Sequence, residues 1–304
     1  MVPSSVRRDV LSWFGPAGQE WLDGLPKTVW SLTRQWSLRL DGPPYGGGSH
    51  SYVVPVRRRN GERAVLKVPV RDAENAAEPT ALHCYRGEGA VLLHEYDPAT
   101  GAMLMEQAVP GNRLKSTRFF GHKTPEAAWR RIDIACGLYR RLWRPADLPE
   151  GYPELPKATD MIDRWRRAYT EADAETRRRV GEARLKAALE RCDALEDQPE
   201  LGIGNRDTHL GNIVSAEREP WLVIDPKPCL AERAFDGGYL LFTHQLHGPH
   251  SGAELLAAVA DGLGADARRV KDWALLRFTE HLAGTAEDRH LDLASEAMRH
   301  LEEA

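Results

Sequence analysis

One stretch limits what this chain can become: Ile203-Gly-Asn-Arg-Asp-Thr-His-Leu-Gly-Asn-Ile-Val-Ser, followed after a short polar turn by Trp221-Leu-Val-Ile-Asp. Asp207 stands five residues before Asn212, and the apolar run Trp221 to Ile224 then delivers Asp225. A run that is apolar on both faces reads as a buried strand, and a buried strand carries Asp225 to a rigid edge. Gly211, directly before Asn212, suits a tight backbone. Asp, Asn and Gly are also ordinary turn residues. What argues for a built site is the strand that ends in a second carboxylate, together with features upstream.

The residue types fit one chemistry. Transfer of a phosphoryl group asks little covalent work of a protein: it needs a hydroxyl held in line and cations that neutralise phosphate oxygens. The spacing Asp-x-x-x-x-Asn is that of a phosphotransfer loop, whose Asp takes the hydroxyl proton and whose Asn holds magnesium. Asp207 is therefore the expected catalytic residue, and Asn212 and Asp225 the expected oxygen ligands of Mg2+. His209 is expected to hydrogen-bond within the loop and hold Asp207 or Asp225, a structural role, because the proton acceptor is already supplied.

The N-terminal part supplies matching pieces. Residues 18–36 carry Trp21, Leu22, Leu25, Val29 and Leu32 at helical spacing, with an expected interruption near Gly24-Leu25-Pro26. Trp36 to Leu40, Ser51 to Arg57 and Arg63 to Val70 read as strands, the last two joined by a turn at Asn60-Gly61. Between the first two lie Gly46, Gly47 and Gly48, a segment that can bring backbone N–H groups to phosphate oxygens or can simply be a flexible turn. Lys67 sits inside the apolar strand Ala64-Val-Leu-Lys-Val. A lysine buried there calls for an anion, whereas one on the solvent face of the strand does not; in the kinase pattern Val-Ala-Ile-Lys it reaches ATP phosphates and pairs with a glutamate on the next helix. Glu78 is the first candidate although Pro79 follows it, and Glu74 is the reserve. Two further strands flank Asp97-Pro-Ala-Thr-Gly101, giving a sheet of about five strands with one helix. Glu106-Gln107-Ala108 ends the last of them; it resembles a kinase hinge, whose main chain can bind adenine, or is simply a strand running into a loop.

These segments resemble a known family. Asp-Thr-His-Leu-Gly-Asn-Ile followed by Trp-Leu-Val-Ile-Asp-Pro is similar to the active-site region of the aminoglycoside and hydroxyurea phosphotransferases, the streptomycin 6-kinase type. Glu78-Pro-Thr-Ala-Leu and Phe235-Asp236 also resemble that family. Where the family usually carries His-Gly-Asp or His-Trp-Asp, this chain has Asn205-Arg206-Asp207. The resemblance implies an α+β fold of the bilobal protein-kinase type, with a small antiparallel-sheet N-lobe and a mainly helical C-lobe. The expected organisation is a helical leader at 1–36, a nucleotide-binding N-lobe at 37–108, and a C-lobe at 109–304 with the catalytic loop and acceptor site. The implied cofactors are ATP and Mg2+. The implied substrate is an aminoglycoside or related amino sugar, in antibiotic inactivation or specialised metabolism. A kinase of a plain sugar stays open, and Asn205 in place of histidine leaves open a non-catalytic nucleotide-binding protein.

Composition narrows the rest. With 42% apolar and 28% charged residues the 304-residue chain is an ordinary globular one, and a net charge of −4 gives no footprint for nucleic acid. No apolar run approaches a membrane span, and the first residues lack the apolar core of a signal peptide, so the expectation is cytoplasmic. Four scattered cysteines read as reduced thiols. Helices are expected over 125–144, as two exposed helices over 158–195, and over 252–264, 266–285 and 288–303. Asp236 is expected to cap a helix starting near Gly238, while Asp160, Asp163, Glu232 and Asp236 could offer charge to an amine.

Overall fold

The structure, a computed structural model, describes residues 2–46, 50–116, 124–148, 150–247, 250, 252–284 and 288–304. The chain divides into two compact units, Met1–Gly111 with Leu148–Glu154, and Asn112–Asp147 with Leu155–Ala304.

The first unit begins with helix α1 (Ser4–Gln35). It is longer than the apolar spacing suggests, and its break lies elsewhere. Gly15 takes φ 51° and ψ −126°, while Pro26 is carried inside the helix. Gly15 tolerates that φ without a Cβ penalty, and Pro16 then suits the first turn of the resumed helix. Pro26 is held because Leu25 and Leu32 on either side are buried against Val54, Val56, Leu66 and Val68 of the sheet. Burying a leucine stabilises by about 1.5–3 kcal/mol, enough to offset much of a helical proline's cost of ~3 kcal/mol. Val6, Val10 and Leu22 pack with Val70, and the Trp21 indole donates to the Pro69 carbonyl at 2.9 Å.

The sheet comprises β1 (Arg39–Leu40), β2 (Ser51–Arg57), β3 (Arg63–Pro69), β4 (Leu93–Asp97) and β5 (Ala102–Glu106). The strands are antiparallel in the order β1-β2-β3-β5-β4. β1 is only two residues long, because Ser37 adopts a positive φ of 53° directly after α1. β3 is central, with Val53 opposite Lys67 on one side and Met103 opposite Lys67 on the other. Helix α2 (Glu78–Tyr85) starts at Glu78 with Pro79 in its first turn, where the missing N–H has no partner to lose.

The second unit is mainly helical. Asn112 and Arg113 end strand β6 (Pro110–Arg113), and Leu114 N–H then donates to the Ile213 carbonyl at 2.8 Å. Helix α3 (Pro125–Leu142) is capped by Thr124, whose hydroxyl accepts the Ala127 N–H. Residues 158–196 form three helices rather than two: α4 (Ala158–Thr170), α5 (Ala174–Val180) and α6 (Glu182–Glu196). Nor are they simply exposed, since Ile162, Trp165, Tyr169, Leu185 and Leu195 are buried. Arginine-rich composition hid an apolar stripe, and the chain breaks twice, between Thr170 and Ala174 and at Gly181 with φ 92°. The arginines face carboxylates: Arg166 pairs with Asp163, Asp193 and Glu196.

Strands β7 (Gly202–Asn205), β8 (Ile213–Ala216), β9 (Trp221–Val223) and β10 (Pro228–Ala231) follow, β7 pairing with β10 and β8 with β9. Helices α7 (Arg233–His247), α8 (Gly252–Leu263), α9 (Ala267–Gly284) and α10 (Asp288–Glu302) complete the unit around Phe235, Trp273 and Phe278. Helix α7 starts five residues before Gly238, so Asp236 lies in its first turn and is not its cap. Gly238 is where α7 meets α9: a Cβ there would lie 2.3 Å from the Trp273 Cβ. Among the described residues, no helix is long and apolar enough to cross a membrane.

Candidate active site

Two clusters of the expected residues form, one in each unit. In the first, the Lys67 ammonium donates to both Glu78 carboxylate oxygens, at 2.6 and 2.7 Å. Both side chains are buried, to 5% and 1% exposure. A buried lysine is costly unless paired, and this pair satisfies the need that β3 created. The reserve residue Glu74 lies elsewhere, 3.8 Å from His50 Nδ1. Gly46 is exposed, and Gly47 and Gly48 lie outside the described residues. Beside Gly46, the Tyr45 hydroxyl accepts from the Gln107 side chain at 2.7 Å. Glu106 is engaged in the sheet: its N–H donates to the Leu92 carbonyl, and its carboxylate accepts the Leu92 N–H. Ala108 is half-buried beyond the end of β5.

In the second unit Asn212, His209 and Lys227 lie around Asp207. Asn212 Nδ2 donates to Asp207 Oδ2 at 2.9 Å. That orientation turns the amide oxygen of the buried Asn212 away from Asp207, as a hard cation requires. Asn212 is tied by main chain to the second carboxylate, because its carbonyl accepts the Ile224 N–H at 2.8 Å. The strand is shorter than its apolar run: β9 ends at Val223, and Asp225 is exposed. Asp225 also holds φ 52°, a left-handed conformation that a residue other than glycine adopts at a cost of roughly 1–3 kcal/mol. Asn212 and Asp225 each offer oxygen, the donor type that Mg2+ takes.

His209 holds the loop. Its Nδ1 accepts the Gly211 N–H at 3.0 Å, so the ring proton sits on Nε2, which faces Asp207 Oδ1 at 3.4 Å. Burial is the main cause that lowers its pKa, aided by Lys115 and Arg113 and opposed by Asp207 and Asp225. A neutral ring donating toward Asp207 cannot be the base. Gly211 is required for space: a Cβ there would sit 2.8 Å from the His209 ring.

The four acids offered to an amine all have other partners. Asp160 accepts the Lys157 N–H, Asp163 pairs with Arg166, and buried Glu232 binds Arg269 and the Trp273 indole. Asp236 accepts the Asn205 N–H at 2.6 Å from within α7. Complete burial is the dominant influence on its carboxyl, raising the pKa to about 8 against the pull of the Asn205 N–H and Arg233.

Sequence reasoning missed Lys227. Its N–H donates to Asn205 Oδ1 at 3.0 Å, its carbonyl accepts the Arg206 N–H at 2.8 Å, and its ammonium lies 3.8 Å from Asp207 Oδ2. The signal was present: a charged residue between two prolines, Asp225-Pro-Lys-Pro228, has a tightly restricted backbone.

The family model described as aminoglycoside/hydroxyurea antibiotic resistance kinase matches residues 35–289. A hydroxyurea phosphotransferase from Kitasatospora aureofaciens is 32% identical over 301 residues, covering 96% of this chain and 82% of that protein. A streptomycin 6-kinase from Streptomyces glaucescens is 33% identical over 237 residues, covering 77% and 72%. Among solved structures, the choline kinase LicA from Streptococcus pneumoniae superposes with a TM-score of 0.56 at 10% identity, covering 92% of this chain and 99% of that one. LicA in complex with AMP gives 0.57. At that identity the likeness shows the fold: a kinase-like one, with a small antiparallel sheet and a mainly helical remainder. The chain belongs to the aminoglycoside/hydroxyurea antibiotic resistance kinase family.

Proposed function

We propose that this protein transfers the γ-phosphoryl group of ATP to a hydroxyl of a small molecule, with Mg2+ as the metal. Family membership supports the reaction class. The observation that carries the assignment of roles is the Asp207 carboxylate, fixed by Asn212 Nδ2 at 2.9 Å. In this reading Asp207 orients the acceptor hydroxyl and takes its proton. Asn212 and Asp225 hold magnesium through oxygen. Lys67, kept in place by Glu78, holds ATP phosphates. Main chain at Glu106 to Ala108 borders adenine.

The preferred acceptor class is an aminoglycoside or related amino sugar, as for the streptomycin kinases. A second acceptor has a specific observation behind it: the hydroxyurea phosphotransferase aligns with 96% of the chain. Of the four acids expected to offer charge to an amine, Glu232 and Asp236 are buried and held by internal partners.

The test is Asp207→Asn, assayed with ATP against streptomycin, hydroxyurea and plain sugars. General-base catalysis contributes about 100- to 10,000-fold. Turnover should fall by at least the lower bound, about a hundredfold, while nucleotide affinity by calorimetry stays within about threefold. Full activity in the variant refutes the role of Asp207. A wild-type protein that binds ATP but phosphorylates nothing on the panel favours the binding-module reading.

A further inference from the structure

We infer that Lys227 is a second catalytic residue of the phosphotransfer site, its ammonium neutralising the group in transfer where it meets the acceptor. The inference rests on the reading above, in which Asp207 faces the acceptor and Asp225 the metal.

The argument starts from the backbone. Lys227 lies two residues after Asp225 and directly before β10. Its N–H and carbonyl are both bonded into the catalytic loop, at Asn205 Oδ1 and Arg206 N. The loop bearing Asp207 and the segment bearing Asp225 are therefore laced together through this one residue. Pro226 and Pro228 on either side remove rotational freedom from the same segment. The fixed backbone sets where the side chain starts, and its ammonium lies toward Asp207.

The distance says what kind of contact this is. At 3.8 Å from Asp207 Oδ2 the ammonium is beyond hydrogen-bond range. The contact is electrostatic, and the side chain is one-quarter exposed, so it does little for stability. Oδ2 already has its hydrogen bond from Asn212, and Oδ1 faces His209. Lys227 is not needed to orient the carboxylate. Lys227 brings a positive charge to 3.8 Å from Asp207 Oδ2.

In the transfer step the acceptor oxygen forms its bond to the γ-phosphorus, and its proton passes to Asp207. The bond from that phosphorus to the β-phosphate oxygen breaks, and the electron pair leaves on ADP. Lys227 keeps its charge throughout and donates N–H to a non-bridging oxygen of the group in transfer. Preorganised donors of this kind typically contribute about 100- to 1,000-fold to turnover.

The test needs no acceptor. Calorimetry compares the affinity of Mg2+ and ADP with that of Mg2+, ADP and fluoroaluminate, which mimics the group in transfer, in wild type, Lys227→Met and Lys227→Arg. Plain ADP should bind all three within about threefold. The tightening caused by fluoroaluminate should be lost in Lys227→Met and largely kept in Lys227→Arg. Turnover on whichever acceptor is found should follow the same order, with KM for ATP nearly constant. Tightening in Lys227→Met equal to wild type overturns the inference and leaves the proposed function standing. Absence of tightening in wild type sinks both. Loss of plain ADP binding in Lys227→Met, with altered hydrogen exchange in the 203–212 loop, makes the residue structural and overturns the catalytic role.

Discussion

The Lys67–Glu78 pair allows the sharpest quantitative test, because burial sets what each half costs alone. The perturbations are Lys67→Met, Glu78→Leu and the double variant. In Lys67→Met a carboxylate exposed to only 1% loses the ammonium that two bonds of 2.6 and 2.7 Å supply. It must then stay charged in an apolar site or take up a proton. Neutralising an ordinary glutamate at pH 7 costs about 4 kcal/mol, and neutralising a lysine costs about 5. These ceilings agree with the roughly 3–5 kcal/mol lost when one partner of a buried pair is removed. The double variant should recover most of that loss, since apolar replacements of a buried pair are often neutral. It should still fail to use ATP, which separates the pair's contribution to folding from its contribution to nucleotide binding. Hydrogen-exchange mass spectrometry on peptides from β3 and α2 reads the opening free energy of this unit specifically. A pH series adds a sign. The Lys67→Met penalty should be full at pH 7 and vanish below about pH 4.3, where the unfolded chain's glutamate is protonated as well. A penalty under about 1 kcal/mol, or one equal at pH 5 and pH 7, would show that water reaches the pair and that the reasoning is wrong.

Two further outcomes concern the second unit. Burial raises the Asp236 carboxyl from its ordinary 3.8 to about 8, so the native state holds a proton that the unfolded chain releases. Relative to Asp236→Asn, wild-type stability should be fully present below about pH 4 and fall toward pH 8, by up to about 1.4 kcal/mol per pH unit. Urea midpoints at pH 5 and 7.5 that move in parallel for the two proteins refute this. Gly238→Ala places a Cβ 2.3 Å from the Trp273 Cβ, so α7 and α9 must separate. A loss of about 1–3 kcal/mol or more in urea unfolding is expected, and an unchanged midpoint means the helices part freely.

How much of this was legible depended on whether chemistry or packing fixed the residue. Asp207, Asn212 and Asp225 stood out because phosphotransfer needs oxygen ligands at set spacings, and spacing survives in a linear string. Lys67 stood out because a charge inside an apolar strand demands an explanation, and Glu78 because the demand names its partner. Asp236 gave no such clue. An acid near a helix start reads as a cap, and only the fold shows it accepting the N–H of Asn205, thirty-one residues away in sequence. The extent of α1 was equally hidden, since propensity puts the break at Pro26 while packing on the sheet moves it to Gly15. Residues 158–196 form three helices where two were expected, because the chain also breaks between Thr170 and Ala174, where Asp173 caps the next helix.

Asn205 carries the argument further, because it was the one departure that favoured a protein without catalysis. The structure gives this asparagine a specific task. Its Oδ1 accepts two main-chain N–H groups, from Asp207 at 3.0 Å and from Lys227 at 3.0 Å. Its own N–H is held by Asp236. A carbonyl oxygen has two lone pairs and can accept both bonds. A neutral histidine at the same place has a single acceptor nitrogen and could take only one. Asparagine therefore joins the segment bearing Asp207 to the segment bearing Lys227 in a way histidine does not reproduce. Arg206 N–H, donating to the Lys227 carbonyl at 2.8 Å, makes a further link between the same two segments. A loop bound this closely around a carboxylate, with Asn212 on one oxygen and His209 facing the other, has the preorganisation that catalysis requires. The substitution changes how the loop is supported and leaves each expected catalytic and metal-binding side chain in place.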